Sequence, residues 1–186
     1  FEEKKKTFND YDSYQKYFHK IGTILDQEKR KSLIKKNIEK VLKKKNFKIE
    51  YNEKLLDEVT NLVDQPHILE CTFDKKFLSI PMEILILTMQ TYQKYLPLFT
   101  KKNEITNEFI VIANKKDDKG LIKIGNERVV NARLNDAEFF WNKDKSQNLV
   151  KKVSGLKSMN YFKGLGTYFD KVQRMRKLAS LISDEL

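Results

Sequence analysis

The chain has 186 residues, room for one domain or two small ones, and at 40% hydrophobic and 11% aromatic it carries enough apolar surface to bury a core. Its 37 Lys and Arg against 26 Asp and Glu leave a net charge of +11, so an anionic partner, nucleic acid first, is expected. Six Gly and three Pro exclude a collagen-like or linker-like chain, the single Cys excludes a disulfide scaffold and a zinc ribbon, and the longest apolar run, near Ile84–Leu87, is too short to span a membrane.

Residues 8–20 place Phe8, Tyr11, Tyr14 and Phe18 at helical spacing and predict a short amphipathic helix. From Asp26 to about Lys45 a longer helix is expected, with Leu33, Ile34, Ile38, Val41 and Leu42 on one face and Lys, Arg and Glu on the other. Phe47–Tyr51 alternates apolar and polar residues, as a strand does. Asn52 is placed to cap a helix to about Val63 that turns Leu55, Leu56, Val59, Leu62 and Val63 inward, and Pro66 ends it. His67–Phe73 reads as a strand. A helix from Pro81 to about Lys94, apolar nearly all round, is expected at the centre of the core. Leu96–Phe99 and Glu108–Ala113 read as strands joined by the polar stretch Thr100–Asn107. Asn114–Gly120 is a charged loop, and Leu121–Ile124 reads as a short strand or extended segment. Gly125 and Asn126 then open a helix to about Trp141, with Val129, Val130, Leu134, Ala137 and Phe140 on one side. After the polar break Lys143–Ser146, a last helix over about Thr167–Ser183 turns Val172, Met175, Leu178, Ala179 and Ile182 inward. The fold class is α+β: helices packed around a small, mostly antiparallel sheet, followed by a mainly helical C-terminal segment. The expected division is a body domain over residues 1–124 and a helical segment over 125–186.

Nothing in the sequence makes a catalytic or metal site. His19 sits among aromatics on a predicted helix and reads as a surface or packing residue. His67 and Cys71, four apart on one predicted strand, share a face, and Cys71 reads as a small buried hydrophobe rather than a nucleophile. Asp117 and Asp118, flanked by lysines, read as solvent-facing acids. The lone Cys fits a reducing, cytoplasmic setting. The chain begins at Phe1 with neither Met nor an apolar leader and is expected to be a piece of a longer protein.

Of the 37 basic residues, 32 are Lys, which fit solvated helix faces as well as a polyanion surface. The arginines say more, because a planar guanidinium grips two phosphate oxygens at once. Arg128, Arg133, Arg174 and Arg176 cluster in the last third and fit either a polyanion surface or structural ion pairs. Arg128 and Arg133 lie roughly 140° apart around one helix, with Asp136 placed to pair with Arg133. Tyr92, Lys94 and Tyr95 put a basic group between aromatics at the end of a core helix. That suits stacking and charge contact with a nucleotide, and equally core tyrosines beside a snorkelling Lys. Lys171, Arg174 and Lys177 recur at three-residue spacing as a basic stripe that could meet phosphate. In Tyr161–Thr167, YFKGLGT, two glycines precede a helix that Thr167 is placed to cap. Exposed N–H groups there suit an anion, and a tight turn is the plainer reading.

That heptapeptide resembles a segment of type II DNA topoisomerases in which a basic residue, Gly, Leu and Gly-Thr follow aromatics. No Asp-x-Asp pair in the matching context accompanies it. A second resemblance covers nearly the whole chain. It runs through Ile24-Leu25-Asp26 with Arg30, Leu55–Val63 with Pro66, and Phe73-Asp74 with Phe77-Leu78 and Ile80-Pro81. It continues through Gln93-Lys94-Tyr95 with Pro97, Asn107–Asn114, the long string Gly125–Phe140 (GNERVVNARLNDAEFF), and Leu165-Gly166-Thr167 with Asp170-Lys171-Val172 and Arg174. In this order the blocks resemble those of the beta subunit of bacterial two-subunit glycyl-tRNA synthetase. The chain departs from the pattern at Tyr92, where the family has His, and at Phe162-Lys163-Gly164.

The resemblance implies a portion of a subunit that recognises tRNA(Gly). Its alpha partner, in an alpha2beta2 assembly, would activate glycine with ATP and magnesium, leaving no active site or cofactor in these residues. It also implies that residues from about 165 lead toward an HD-like domain beyond Leu186. Within the blocks, Tyr92, Lys94, Tyr95, Arg128, Arg133, Lys171, Arg174 and Lys177 are the candidates for tRNA contact. A structural or subunit-contact module of the same enzyme is the alternative expectation.

Overall fold

The structure is a computed structural model and describes residues 6–50 and 52–185. The chain divides between Phe139 and Phe140 into two compact units.

The first unit is built outward from a three-stranded antiparallel sheet of β1 (His67–Thr72), β2 (Leu96–Phe99) and β3 (Ile105–Ala113), in the order β1-β3-β2. Because alternate side chains of a strand face opposite sides, β3 feeds two cores at once. Phe109 and Val111, with Cys71 of β1, face Phe77, Leu85, Met89, Val130 and Leu134. Ile110, with Leu96 and Leu98 of β2, faces Ile34, Ile38, Leu55, Leu56 and Val59. A one-residue slip would exchange the two sets, so the register running from His67↔Ala113 to Thr72↔Glu108 is fixed by burial on both faces.

Helices α1 (Tyr11–Lys20), α2 (Gln27–Lys45) and α3 (Glu53–Leu62) start where an acid or amide caps them. The side chains of Asp10, Asp26 and Asn52 accept the N–H groups of Ser13, Lys29 and Leu55 at 2.7, 3.0 and 3.1 Å. Helices α2 and α3 cover one face of the sheet. The other face is covered by a 3₁₀ turn over Lys75–Ser79, by α4 (Met82–Leu87) with a wider π turn over Thr88–Tyr92, and by α5 (Leu121–Lys145).

Several expectations are corrected here. Residues 47–50 form no strand of their own; only Lys48 pairs, with Phe99 at the edge of β2, and Tyr51 lies outside the described residues. The strand expected at Leu121–Ile124 is the first turn of α5, because the Asp117 carboxylate accepts the N–H groups of Ile122 and Lys123 at 3.1 and 2.8 Å. Gly125 and Asn126 therefore lie inside the helix instead of opening it. Asp117 is a helix cap, while Asp118 pairs with Lys116 at the surface. The helix after Pro81 buries Leu85 and Met89 but exposes Met82 and Leu87, and Leu62 of α3 is exposed too. The division falls after Phe139 rather than after Ile124, since Val130 and Leu134 pack α5 into the sheet unit.

The second unit comprises the end of α5, α6 (Leu149–Lys152), a 3₁₀ turn over Val153–Ser158, the hairpin strands β4 (Asn160–Phe162) and β5 (Gly166–Thr167), and α7 (Tyr168–Glu185). None of its described residues is buried. Met175, Leu178 and Ile182, expected inward, are exposed. Helical periodicity identifies an apolar stripe without saying what covers it. Among the described residues, no helix is long and apolar enough to cross a membrane.

Candidate nucleic-acid interface

Tyr92, Lys94 and Tyr95, at and just after the end of the π turn that follows α4, do not form an aromatic-basic-aromatic sandwich. Lys94 takes a left-handed conformation (φ 59°), and the Tyr95 N–H donates to the Met89 carbonyl at 3.0 Å, closing a wide helix-ending turn. That turn sends the side chains apart. Tyr92 stands 67% exposed. Lys94 pairs with Glu58 of α3 at 2.9 Å. Tyr95 is only 6% exposed; its ring stacks on Phe109 with centroids 5.1 Å apart, and its hydroxyl donates to Asn126 at 2.6 Å. Burial pushes the Tyr95 phenol up to about 12, with the nearby Cys71 adding to it. Tyr95 is thus a core residue and offers no ring to a base; Tyr92 remains available.

The long string in α5 separates into two faces. Toward the sheet, the Glu127 carboxylate accepts the Thr72 N–H at 2.8 Å and its hydroxyl at 3.1 Å, and Asn131 accepts the Asp74 N–H at 2.9 Å. Asn126, Val130 and Leu134 complete this docking side. Arg128 and Arg133 are exposed on either flank of the outward face. Neither forms an ion pair among the described residues, so the expected Arg133–Asp136 pair is not made.

In the second unit, Lys171 lies over the Tyr161 ring, 4.3 Å from its centroid, and Tyr161 meets Tyr168 edge-on. Its charge is partly engaged in that cation–π contact, while Arg174 and Lys177 are exposed. The YFKGLGT stretch is the hairpin itself, with Gly164 and Gly166 in left-handed conformations. A Cβ at Gly166 would run into the Asp170 carboxylate. That carboxylate accepts the Thr167 N–H at 2.7 Å, and the Asp170 N–H donates back to the Thr167 hydroxyl at 3.3 Å, a reciprocal helix cap. The Thr167 N–H holds the Asp170 carboxyl below its ordinary value. The local backbone therefore uses these groups for the turn and the cap, the plainer of the two readings.

Other notable side chains are architectural. Arg30, 9% exposed, donates to the Ile24, Leu25 and Thr60 carbonyls. Lys45 sits between Glu108 and Glu70, the latter at 3.2 Å. Asn114 accepts the Asp64 and Gln65 N–H groups at 2.7 and 2.9 Å. Cys71 is fully buried, and burial, with Glu127 next, pushes its thiol up to about 12. Glu127 and Asn131 were not singled out from sequence, and Arg30 was named only within a block of the resemblance. The signal for Glu127 and Asn131 is a polar residue embedded in a string longer than its hydrophobic pattern requires. Among the described residues, no three His, Cys, Asp or Glu side chains group as a metal ion needs.

The sequence model of the glycyl-tRNA synthetase beta subunit matches residues 1–186. The chain is 40% identical over 178 residues to the glycine–tRNA ligase beta subunit of Dictyoglomus thermophilum, covering 95% of this chain and 26% of that protein. It is 37% identical over 176 residues to that of Thermodesulfovibrio yellowstonii, covering 94% and 26%. With that of Pseudoalteromonas translucida it shares 38% identity over 183 residues, covering 98% and 27%. The chain belongs to the glycyl-tRNA synthetase beta subunit family. It spans about a quarter of the length of these relatives.

Proposed function

We propose that these residues are the part of a glycyl-tRNA synthetase beta subunit that supports tRNA(Gly) recognition during aminoacylation. Glycine activation by ATP and magnesium would belong to the alpha subunit of an alpha2beta2 enzyme in the cytoplasm. The observation that carries this reading is α5. One side of it is locked to the sheet by Glu127 and Asn131, and the other presents Arg128 and Arg133 without a carboxylate partner among the described residues. A helix held rigidly from behind loses little freedom when its exposed guanidinium groups meet phosphate.

The test uses the full-length subunit assembled with its alpha partner. Arg128→Ala with Arg133→Ala is expected to weaken tRNA(Gly) binding about tenfold and to flatten its salt dependence by about two charges. Glycine-dependent ATP–pyrophosphate exchange, which needs no tRNA, should stay unchanged. Unaltered tRNA affinity, or equal loss of both activities, would sink the reading.

A second reading, a subunit-contact module, is favoured by one observation. The second unit exposes Met175, Leu178 and Ile182, spaced along one face of α7, and an exposed apolar face marks a surface that another protein surface covers. If that reading holds, substituting Leu178 and Ile182 by Ser lowers co-purification of the alpha subunit and spares tRNA affinity.

A further inference from the structure

The lysines of α2 divide into two groups. Lys31 pairs with Glu53 and Asp57, Lys35 with Glu53, and Lys45 with Glu70 and Glu108. These face α3 and the sheet. Lys43 and Lys44, at the other side of the helix's C-terminal end, form no ion pair among the described residues. Lys43 instead borders a groove of about 490 Å³ in the first unit. Lys48 and Lys101 complete its basic rim, and Leu42, Phe47 and Ile49 form its apolar floor.

Backbone hydrogen bonds, joined by one lysine side chain, hold the groove. The Lys48 N–H donates to the Phe99 carbonyl at 2.9 Å, and the Phe99 N–H returns to Lys48 at 2.8 Å. Lys101 donates to the Phe47 carbonyl at 3.3 Å. The β2–β3 turn that carries Lys101 and Lys102 is closed by the Thr100 N–H on the Glu104 carbonyl at 2.8 Å. Asn46, left-handed, reverses the chain out of α2 so that residues 47–49 lie beside it. Glu39 lies in the lining, Glu104 in the turn that carries Lys101, and Glu50 next to Ile49 in the chain. The lining itself sets three lysines, Lys43, Lys48 and Lys101, against the single acid Glu39.

We infer that this groove binds a segment of RNA phosphodiester backbone, a second contact for the tRNA proposed above, and the inference rests on that reading. A basic groove with an apolar, aromatic-containing floor is what a polynucleotide needs, since phosphates track the lysines while a base or sugar covers the floor. An acidic peptide would use the charges but leave Phe47 without a matching planar group.

The experiment measures filter binding of transcribed tRNA(Gly) to the full-length subunit at two salt concentrations. Three forms are compared: the unaltered protein; Lys43→Glu, Lys48→Glu and Lys101→Glu together; and a charge-matched control with Lys75→Glu, Lys115→Glu and Lys119→Glu. A milder groove variant with Gln at the same three positions, checked by thermal melting, separates lost binding from lost folding. The groove variants are expected to bind at least about tenfold more weakly, with the salt slope reduced by about 2 to 3, and the control less than about threefold more weakly. Equal weakening in the groove and control variants overturns the inference while leaving tRNA recognition intact. Loss of alpha-subunit association with tRNA affinity retained also overturns it, in favour of an acidic protein surface. If the unaltered protein binds no tRNA at either salt, the proposed role in tRNA recognition falls and the groove's role falls with it.

Discussion

A lysine at position 30 would keep the charge and lose the geometry. Arg30 reaches the carbonyls of Ile24 at 2.6 Å, Leu25 at 2.8 Å and Thr60 at 3.3 Å, tying the start of α2 to α3. A guanidinium spreads its donors in a rigid fork, whereas an ammonium gathers three at one point. Arg30→Lys is therefore expected to cost about 1 to 3 kcal/mol, through carbonyls left without donors in a desolvated site, and a lower urea midpoint would show it. Unchanged stability would mean that water replaces the fork. This residue was legible in principle, since Arg30 is the one arginine before Arg128 in a chain that otherwise uses lysine. The reverse holds for Tyr95. Its place beside Lys94 suggested a shared face, and the left-handed turn at Lys94 that separates the two has no marker such as Gly.

At the scale of elements, local periodicity sufficed where burial alone shapes the segment. Helices α2 and α3 and strands β1 and β2 lie within a residue or two of their expected bounds, with Asn52 capping α3 as expected and Asp26, the residue at which the first of these helices was expected to begin, capping α2. Helix α5 was harder because distant groups fix its start and its packing. Asp117 caps it from across the loop, and its polar side chains satisfy the backbone at the end of β1, some 55 residues away in sequence for Thr72 and Glu127. No window of neighbouring residues contains that information. Removing these anchors should free the helix without unfolding the sheet. Glu127→Ala and Asn131→Ala are each expected to cost about 1 to 3 kcal/mol. Amide exchange should quicken in α5 well before it does in β3, and equal acceleration in both would contradict a separate anchoring role.

For the whole molecule, the α+β class and the paired cores follow from alternation along β3, while the boundary between units depended on which face of α5 docks. The shared core also gives the fold an alkaline limit. Cys71 and Tyr95, ordinarily at 9.0 and 10.0, are both pushed up to about 12. Above pH 9 the unfolded chain gives up these protons before the folded one does, so it binds fewer and is favoured. Stability should fall from about pH 9 to about pH 12, and the urea midpoint of Cys71→Ala should decline less steeply there than that of the unaltered protein. Parallel slopes would refute the assignment. In the second unit, β5 ends at Thr167 and α7 begins at Tyr168, with the Asp170 cap locking the joint. There is no slack residue between them, so the hairpin tip is a crank on the helix: pressing on Lys163-Gly164-Leu165 must turn α7 about the joint instead of bending a linker.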